Sequence, residues 1–379
     1  MFSKLIVLWV HIIPFILART CSENIYVKTQ KDLDSLLECT ILIGDIYINS
    51  SISLISLENL EEIDGDLIVT GNSDIAPLLR TINGKAEFNT LTALEKISFP
   101  SLITVTSLIL FHCARLENLY LKTGITTASK ITVSDTLLRG LEGFNMAVLS
   151  FLDINNNNYL IHFNMSDLVK IRGSMNFMQN GQIQNRNGFP LSLPSLETVG
   201  DLSIQGVSSI DMKNLKNITG DLIITLTNLQ RVSLDSLSFI SGSLSIYNNS
   251  ELNTLDFPSL IGGSFLLNDN YKLSSVTGFP QVTSIGGSVS WTGPLNTVSL
   301  PSINDIKGTL KIISSSSLTC PAFTKSRAII QGANPICRSS GSEKGSASRK
   351  GSTSGRKSDS SKFIGGNLIS SNNLVISKI

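Results

Sequence analysis

Charge and histidine are what this sequence has least of. Charged residues make up 16% of 379, and 30 Lys and Arg against 29 Asp and Glu leave a net charge of +1. Nucleic-acid binders usually carry a basic stripe, so the balance argues against that class, and equally against a strongly acidic carrier. Of three histidines, His11 lies in the first apolar stretch, and His112 and His162 stand in no metal-ligand spacing. The sequence contains no Gly-x-Ser-x-Gly elbow and no phosphate loop. By motif, therefore, it offers no catalytic, cofactor-binding or metal-binding residue.

The apolar stretch Leu5 to Leu17 is broken by His11 and Pro14 and is too short for a membrane span. With Lys4 before it and Ala18-Arg19-Thr20 after it, residues 1–20 read as a secretory signal peptide, an uncleaved anchor being the competing reading. Four Asn-x-Ser/Thr triplets, at Asn49, Asn164, Asn217 and Asn248, are candidate N-glycosylation sites and agree with export. Such triplets also arise by chance, so each is weak by itself.

What the chain does have is a repeat. Gly200-Asp201-Leu202-Ser203-Ile204 returns as Gly220-Asp221-Leu222-Ile223-Ile224, Gly242-Ser243-Leu244-Ser245-Ile246, Gly263-Ser264-Phe265-Leu266-Leu267 and Gly287-Ser288-Val289-Ser290-Trp291, about every 21 residues. Apolar residues alternate after the glycine, the period of a strand with one face inward. A second apolar set follows, as in Leu252, Leu255, Phe257 and Leu260, or Val298, Leu300, Ile303 and Ile306. Self-similarity at this period predicts a solenoid in which no copy folds alone and stacked copies share one interior along a parallel ladder. The expected fold is an all-β, parallel β-helix-like solenoid of about thirteen rungs. They start near Gly44, Gly65, Lys85, Thr106, Ser129, Leu149, Gly173, Gly200, Gly220, Gly242, Gly263, Gly287 and Gly308, the third to sixth being placed by interpolation.

Punctuation within the repeat is also regular. Phe99-Pro100-Ser101-Leu102 is echoed at Leu193-Pro194-Ser195-Leu196, Phe257-Pro258-Ser259-Leu260, Phe279-Pro280-Gln281-Val282 and Leu300-Pro301-Ser302-Ile303. Proline cannot donate to a ladder and belongs at a corner between faces. Cys21 and Cys39 precede the first rung, and Cys320 and Cys337 follow the last; a bridge within each pair would staple a cap over each open end, although sequence alone does not settle connectivity. Cys113 aligns with Asn249 and Asn270, which suggests a structural thiol inside a turn, against a reactive or intermolecular one.

Two surface chemistries merit weighing. Asp45 and Asp66, like Asp201 and Asp221, occupy equivalent places on consecutive rungs, about 5 Å apart by strand spacing, close to the carboxyl separation of a retaining glycosidase. The competing reading is that Asp after Gly bonds local backbone at the strand entrance, and Ser replaces it at Ser243, Ser264 and Ser288. Tyr247, Asn248, Asn249, Asn268, Asp269, Asn270 and Tyr271, with Asn155 to Asn158 and Tyr159, form either an Asn ladder that stabilises turns or a contact surface for sugar or protein.

The expected organisation is a signal peptide over 1–20, an N-terminal cap over 21–43, two solenoid lobes over 44–172 and 173–319, a C-terminal disulfide cap over 320–338, and a Ser/Gly/Lys-rich stalk over 339–379. The lobes are divided by the polar insertion Gln179 to Gly188. The stalk composition predicts disorder. The final stretch, Phe363 to Ile379, resembles a lipid-anchor signal whose apolar tail is broken by Asn and Ser.

Taken together, the Gly-Asp-Leu-x-Ile rungs, the Phe-Pro-Ser-Leu corners, the Cys21 and Cys39 pair, the closing Cys320-Pro321-Ala322-Phe323 with Cys337 and the Ser-rich stalk resemble the fungal cell-wall organisation and sporulation glycoproteins. Their repeats are similar to the receptor L domain. The resemblance implies a secreted, N-glycosylated, usually GPI-anchored surface protein, non-catalytic, monomeric and acting in the wall or spore wall. Its implied partners are the glucan and mannoprotein matrix or other surface proteins, and the membrane only through an anchor. A ligand-binding ectodomain of L-domain type and a β-helix wall-polysaccharide hydrolase are the alternatives.

Overall fold

The computed structural model describes residues 19–49, 59–71, 78–182 and 188–340. The expected signal peptide up to residue 18, the centre of the polar insertion, and the expected stalk and anchor signal from residue 341 onward lie outside the described residues.

The alternating rung phrase does form strands, and the strands stack. One ladder runs from Ile25–Val27 through Ile46–Ile48, Leu67–Val69 and each later rung to Leu310–Ser314 and Ile336–Ser339. It holds fifteen parallel strands joined by fourteen pairings, each to the strand one winding later. Register places like on like. Leu202, Leu222, Leu244, Phe265, Val289 and Leu310 form one inward column, and Ile204, Ile224, Ile246, Leu267, Trp291 and Ile312 the next. All twelve are 0–2% exposed. A one-residue slip would turn both columns to water, so burial itself holds the register.

All thirteen expected rung starts lead into strands of this ladder, including the interpolated ones, which precede Thr81–Asn89, Thr104–Phe111, Lys130–Ser134 and Phe151–Asn155 or lie within them. The two further strands belong to segments expected to be caps outside the stack. Ile25–Val27 pairs with Ile46–Ile48, and Ile336–Ser339 pairs with Leu310–Ser314, so each cap contributes a winding of its own. The ladder also continues without a break from Phe151–Asn155 to Met175–Met178 and on to Leu202–Gln205, across the boundary drawn at residue 173.

Two further faces close the coil. Just before the glycines, short strands pair in register, as in Val148–Leu149, Lys170–Ile171, Thr198–Val199, Asn217–Ile218 and Phe239–Ile240. A third face carries separate pairs, among them Lys96–Ser98 with Asn118–Tyr120, Phe189–Ser192 with Val207–Asp211, and Arg231–Ser233 with Thr254–Asp256. The expected second apolar set is buried, with Leu252, Phe257, Leu260 and Ile306 at 0% exposure.

The proline phrase turns the corner as expected. Leu196 N donates to Leu193 O, Leu260 N to Phe257 O and Ile303 N to Leu300 O, so proline sits at the second position of a four-residue turn, where its fixed φ is already correct. The serine after it ties corners together: Ser259 Oγ donates to Asp235 O at 2.7 Å and Ser302 Oγ to Pro280 O at 2.7 Å, each one winding earlier.

Glycine is required at the rung start by close approach. Gly220 N donates to Gly200 O at 3.0 Å and Gly242 N to Gly220 O at 3.0 Å, so these backbones lie directly above one another. A Cβ on Gly220 would overlap Asp201 Oδ1, whereas one on Gly286 would meet nothing within 4 Å. Gly220→Ala should therefore lower the thermal midpoint clearly, by the several degrees that about 1–3 kcal/mol of overpacking produces, while Gly286→Ala should leave it nearly unchanged. Differential scanning calorimetry of the two variants checks the contrast.

Candidate functional site

The sites proposed from sequence fall on two columns, one at each end of the main strands. At the strand entrance, carboxylates reach to the next winding. Asp45 Oδ1 accepts from Asp66 N at 2.8 Å, Asp66 Oδ1 from Lys85 N at 2.8 Å, Asp201 Oδ1 from Asp221 N at 2.9 Å, and Asp221 Oδ1 from Ser243 N at 2.7 Å and Ser243 Oγ at 3.0 Å. Asn24 begins the column by accepting from Asp45 N, and Ser288 Oγ continues it by accepting from Thr309 N. The expectation of local backbone capping is corrected here: the acceptor serves the following winding, because stacking leaves that N–H pointing down the column. A serine hydroxyl does the same at Ser288, whereas Ser243 donates its hydroxyl back to Asp221 and Ser264 N is taken by Gly242 O.

Tyr47 Oη donates to Asp45 Oδ2 at 2.8 Å; that bond, with desolvation adding to it, raises the phenol above its ordinary value. Glu87 is held below its usual range chiefly by its hydrogen bond from Lys85 Nζ, with Asn89 also donating. None of these carboxylates lines the cavity of about 860 Å³ on the third face, bordered by Ser209, Asn228, Arg231 and Glu251. Among the described residues no group of three or more His, Cys, Asp or Glu could hold a metal ion.

At the strand exit, nine consecutive windings turn through one left-handed residue: Thr90, His112, Asp135, Asn156, Gln179, Gly206, Leu226, Asn248 and Asp269, with φ between 50° and 72°. The turn aims the next residue inward, giving a column of Leu91, Cys113, Thr136, Asn157, Asn180, Val207, Thr227, Asn249 and Asn270, all at most 3% exposed. Asn249 Nδ2 donates to Ile224 O at 3.1 Å and Tyr247 O at 3.1 Å, while its Oδ1 accepts from Thr227 N at 2.9 Å and Thr227 Oγ1 at 2.7 Å. Asn270 Oδ1 in turn accepts from Asn249 N, and Asn157 and Asn180 repeat the arrangement. The Asn-rich turns are thus an internal ladder, and the contact-surface reading loses Asn157, Asn249 and Asn270, whose amides face the core. Asn180 and the threonines were missed, because Thr136 and Thr227 do not look like asparagine in a motif although their hydroxyls join the same network.

Cys113 takes this place in its winding. Its thiol donates to Phe88 O at 3.4 Å, the carbonyl equivalent to the one Asn249 reaches, and burial pushes its pKa up to about 11. The other four cysteines form the two bridges Cys21–Cys39 and Cys320–Cys337, with Cα atoms 5.9 Å and 6.0 Å apart. Of the candidate glycosylation sites, Asn49, Asn164 and Asn248 are exposed, and Asn217 is half-buried on a strand of the second ladder.

No family model matches the chain, and no solved structure does. Curated proteins do. Protein ecm33 of Aspergillus fumigatus is 29% identical over 320 residues, 82% of this chain and 79% of that protein. Sporulation-specific protein 2 of Saccharomyces cerevisiae is 28% identical, over 86% of this chain and 66% of its own length. The chain is a relative of the fungal cell-wall and sporulation proteins. Cell wall protein ecm33 of Schizosaccharomyces pombe, 29% identical over 85% of this chain and 78% of that protein, is a further relative. The matched spans are long enough to take in most of the fifteen-strand ladder, so these wall-protein relatives are similar to the stack rather than to one rung.

Asn249→Leu should destabilise by about 3 kcal/mol, since it strands buried partners that each cost about 1–3 kcal/mol when unpaired; urea unfolding measures it. The Cys113 thiol should resist Ellman's reagent at pH 8 in the native protein and react once unfolded. Because its folded pKa lies above its unfolded value, its contribution to stability is intact below about pH 8.5 and is lost as pH rises toward 11. A melting series from pH 7 to 11, compared with Cys113→Ser, reads that window.

Proposed function

We propose that this protein is a non-catalytic, secreted glycoprotein of the fungal cell surface that contributes to the organisation of the cell wall or spore wall. The observation that carries the reading is similarity over more than four-fifths of the chain to proteins named for the cell wall and for sporulation. The geometry supports it. The carboxylates that could have served as an acid and nucleophile pair accept backbone N–H groups from the next winding, and three of the asparagines that could have met a sugar, Asn157, Asn249 and Asn270, are sealed in the core. What remains is a stapled stack whose polar groups hold it together, as suits a wall component contacting the glucan and mannoprotein matrix or other surface proteins.

Cells lacking the protein should be hypersensitive to wall-perturbing dyes or form fragile spores, and expression of the Asp201→Asn and Asp221→Asn double variant should restore them fully, since the amide oxygen keeps the acceptor. Intact walls in the deletion strain, or release of sugar from β-glucan or chitin by the purified protein, would overturn the reading.

A further inference from the structure

We propose that Asn217 carries an N-glycan whose first sugar packs against the ring of Phe239. The inference rests on the glycoprotein reading and adds a contact that reading does not contain. In the strand Asn217–Ile218, Ile218 points into the core at 0% exposure, so Asn217 points outward. Directly opposite it in the next winding stands Phe239, about 4.8 Å away by strand spacing.

Phe239 is a large apolar side chain left 45% exposed, and Ile261, in the winding after it, is 49% exposed. Both border a cleft of about 510 Å³ whose remaining wall includes Gly262, Gly263 and Gly286, and among the described residues no side chain fills it. Unlike Asn157, Asn180, Asn249 and Asn270, Asn217 makes no side-chain hydrogen bond among the described residues, so its amide is free for attachment, and Thr219, the third residue of the triplet, is exposed.

An N-acetylglucosamine on Asn217 Nδ2 is therefore tethered one strand spacing from an uncovered aromatic ring. A pyranose presents polarised C–H groups on one face, and these meet the negative face of an aromatic ring favourably. The sugar covers an apolar surface left open among the described residues. Asn164 is the natural reference, because its Oδ1 accepts from Ser166 N and it follows the strand His162–Phe163, whose paired strand Gly140–Leu141 offers no aromatic ring.

The test uses the full-length protein secreted from a glycosylating fungal host, treated natively with peptide N-glycosidase and followed site by site by mass spectrometry. The glycan on Asn217 should be released about fivefold more slowly than that on Asn164, the factor that ~1 kcal/mol of ring contact produces. Phe239→Ala should abolish the difference and Phe239→Tyr should retain it, while release at Asn164 stays unchanged in both. Release from Asn217 at one rate in the native protein and in Phe239→Ala would overturn the contact. An unoccupied Asn217 beside an occupied Asn164 would overturn this inference and leave the glycoprotein reading standing; no glycan at any triplet would overturn both.

Discussion

Every winding of this protein depends on a neighbour to receive its hydrogen bonds. A rung of about 21 residues has no second layer of its own, so apart from the corner turns most of its backbone N–H and C=O groups, its inward apolar side chains and the polar groups at its strand ends find partners one winding away. Stacked backbones require that nothing stand between them, and this is why glycine recurs at the rung start: Gly200, Gly220 and Gly242 touch through their peptide groups. The same stacking makes a side-chain acceptor useful after the glycine, and Asp201, Asp221 and Ser288 each take the N–H of the next rung.

At the other end of the strand, the left-handed residue and the inward polar residue after it are two parts of one device. A bend at the end of a strand leaves carbonyls pointing into the core, and buried carbonyls without donors are costly. Asn157, Asn249 and Asn270 supply an amide donor to the carbonyl of the preceding winding and an acceptor to it as well. Cys113 donates to Phe88 O and its sulfur takes a backbone hydrogen bond from Leu91, while Val207 has no polar group to offer, so the column admits residues other than Asn. Asp45, Asp66, Asp201 and Asp221, and the inward Asn157, Asn249 and Asn270, are thus engaged in holding one winding to the next.

Much of this was legible in the residues. The thirteen rung starts, the corner prolines and the equivalence of Cys113 to an asparagine follow from period and alignment, and the places of the other four cysteines, two before the first rung and two after the last, suggested the bridges that the structure forms. The end windings were not, and the reason is specific. Ile25–Val27 lacks the glycine that opens other rungs, with Glu23-Asn24 in its place, and the closing winding hides its glycine at Gly332, 24 residues after Gly308 and between the two cysteines of a bridge. A motif reader sees a cap; the ladder admits any strand whose backbone fits.

The period of apolar residues, by itself, determined that this chain coils and which side chains lie inside, because burial of one strand face depends only on alternation along the chain. What tertiary structure decided was the destination of the polar groups. Whether Asp201 caps its own turn or the next winding, whether Asn249 faces water or core, and that Asn217 stands opposite Phe239 all depend on which residues of adjacent windings lie side by side, and that proximity is created by stacking, about 20 residues away in sequence.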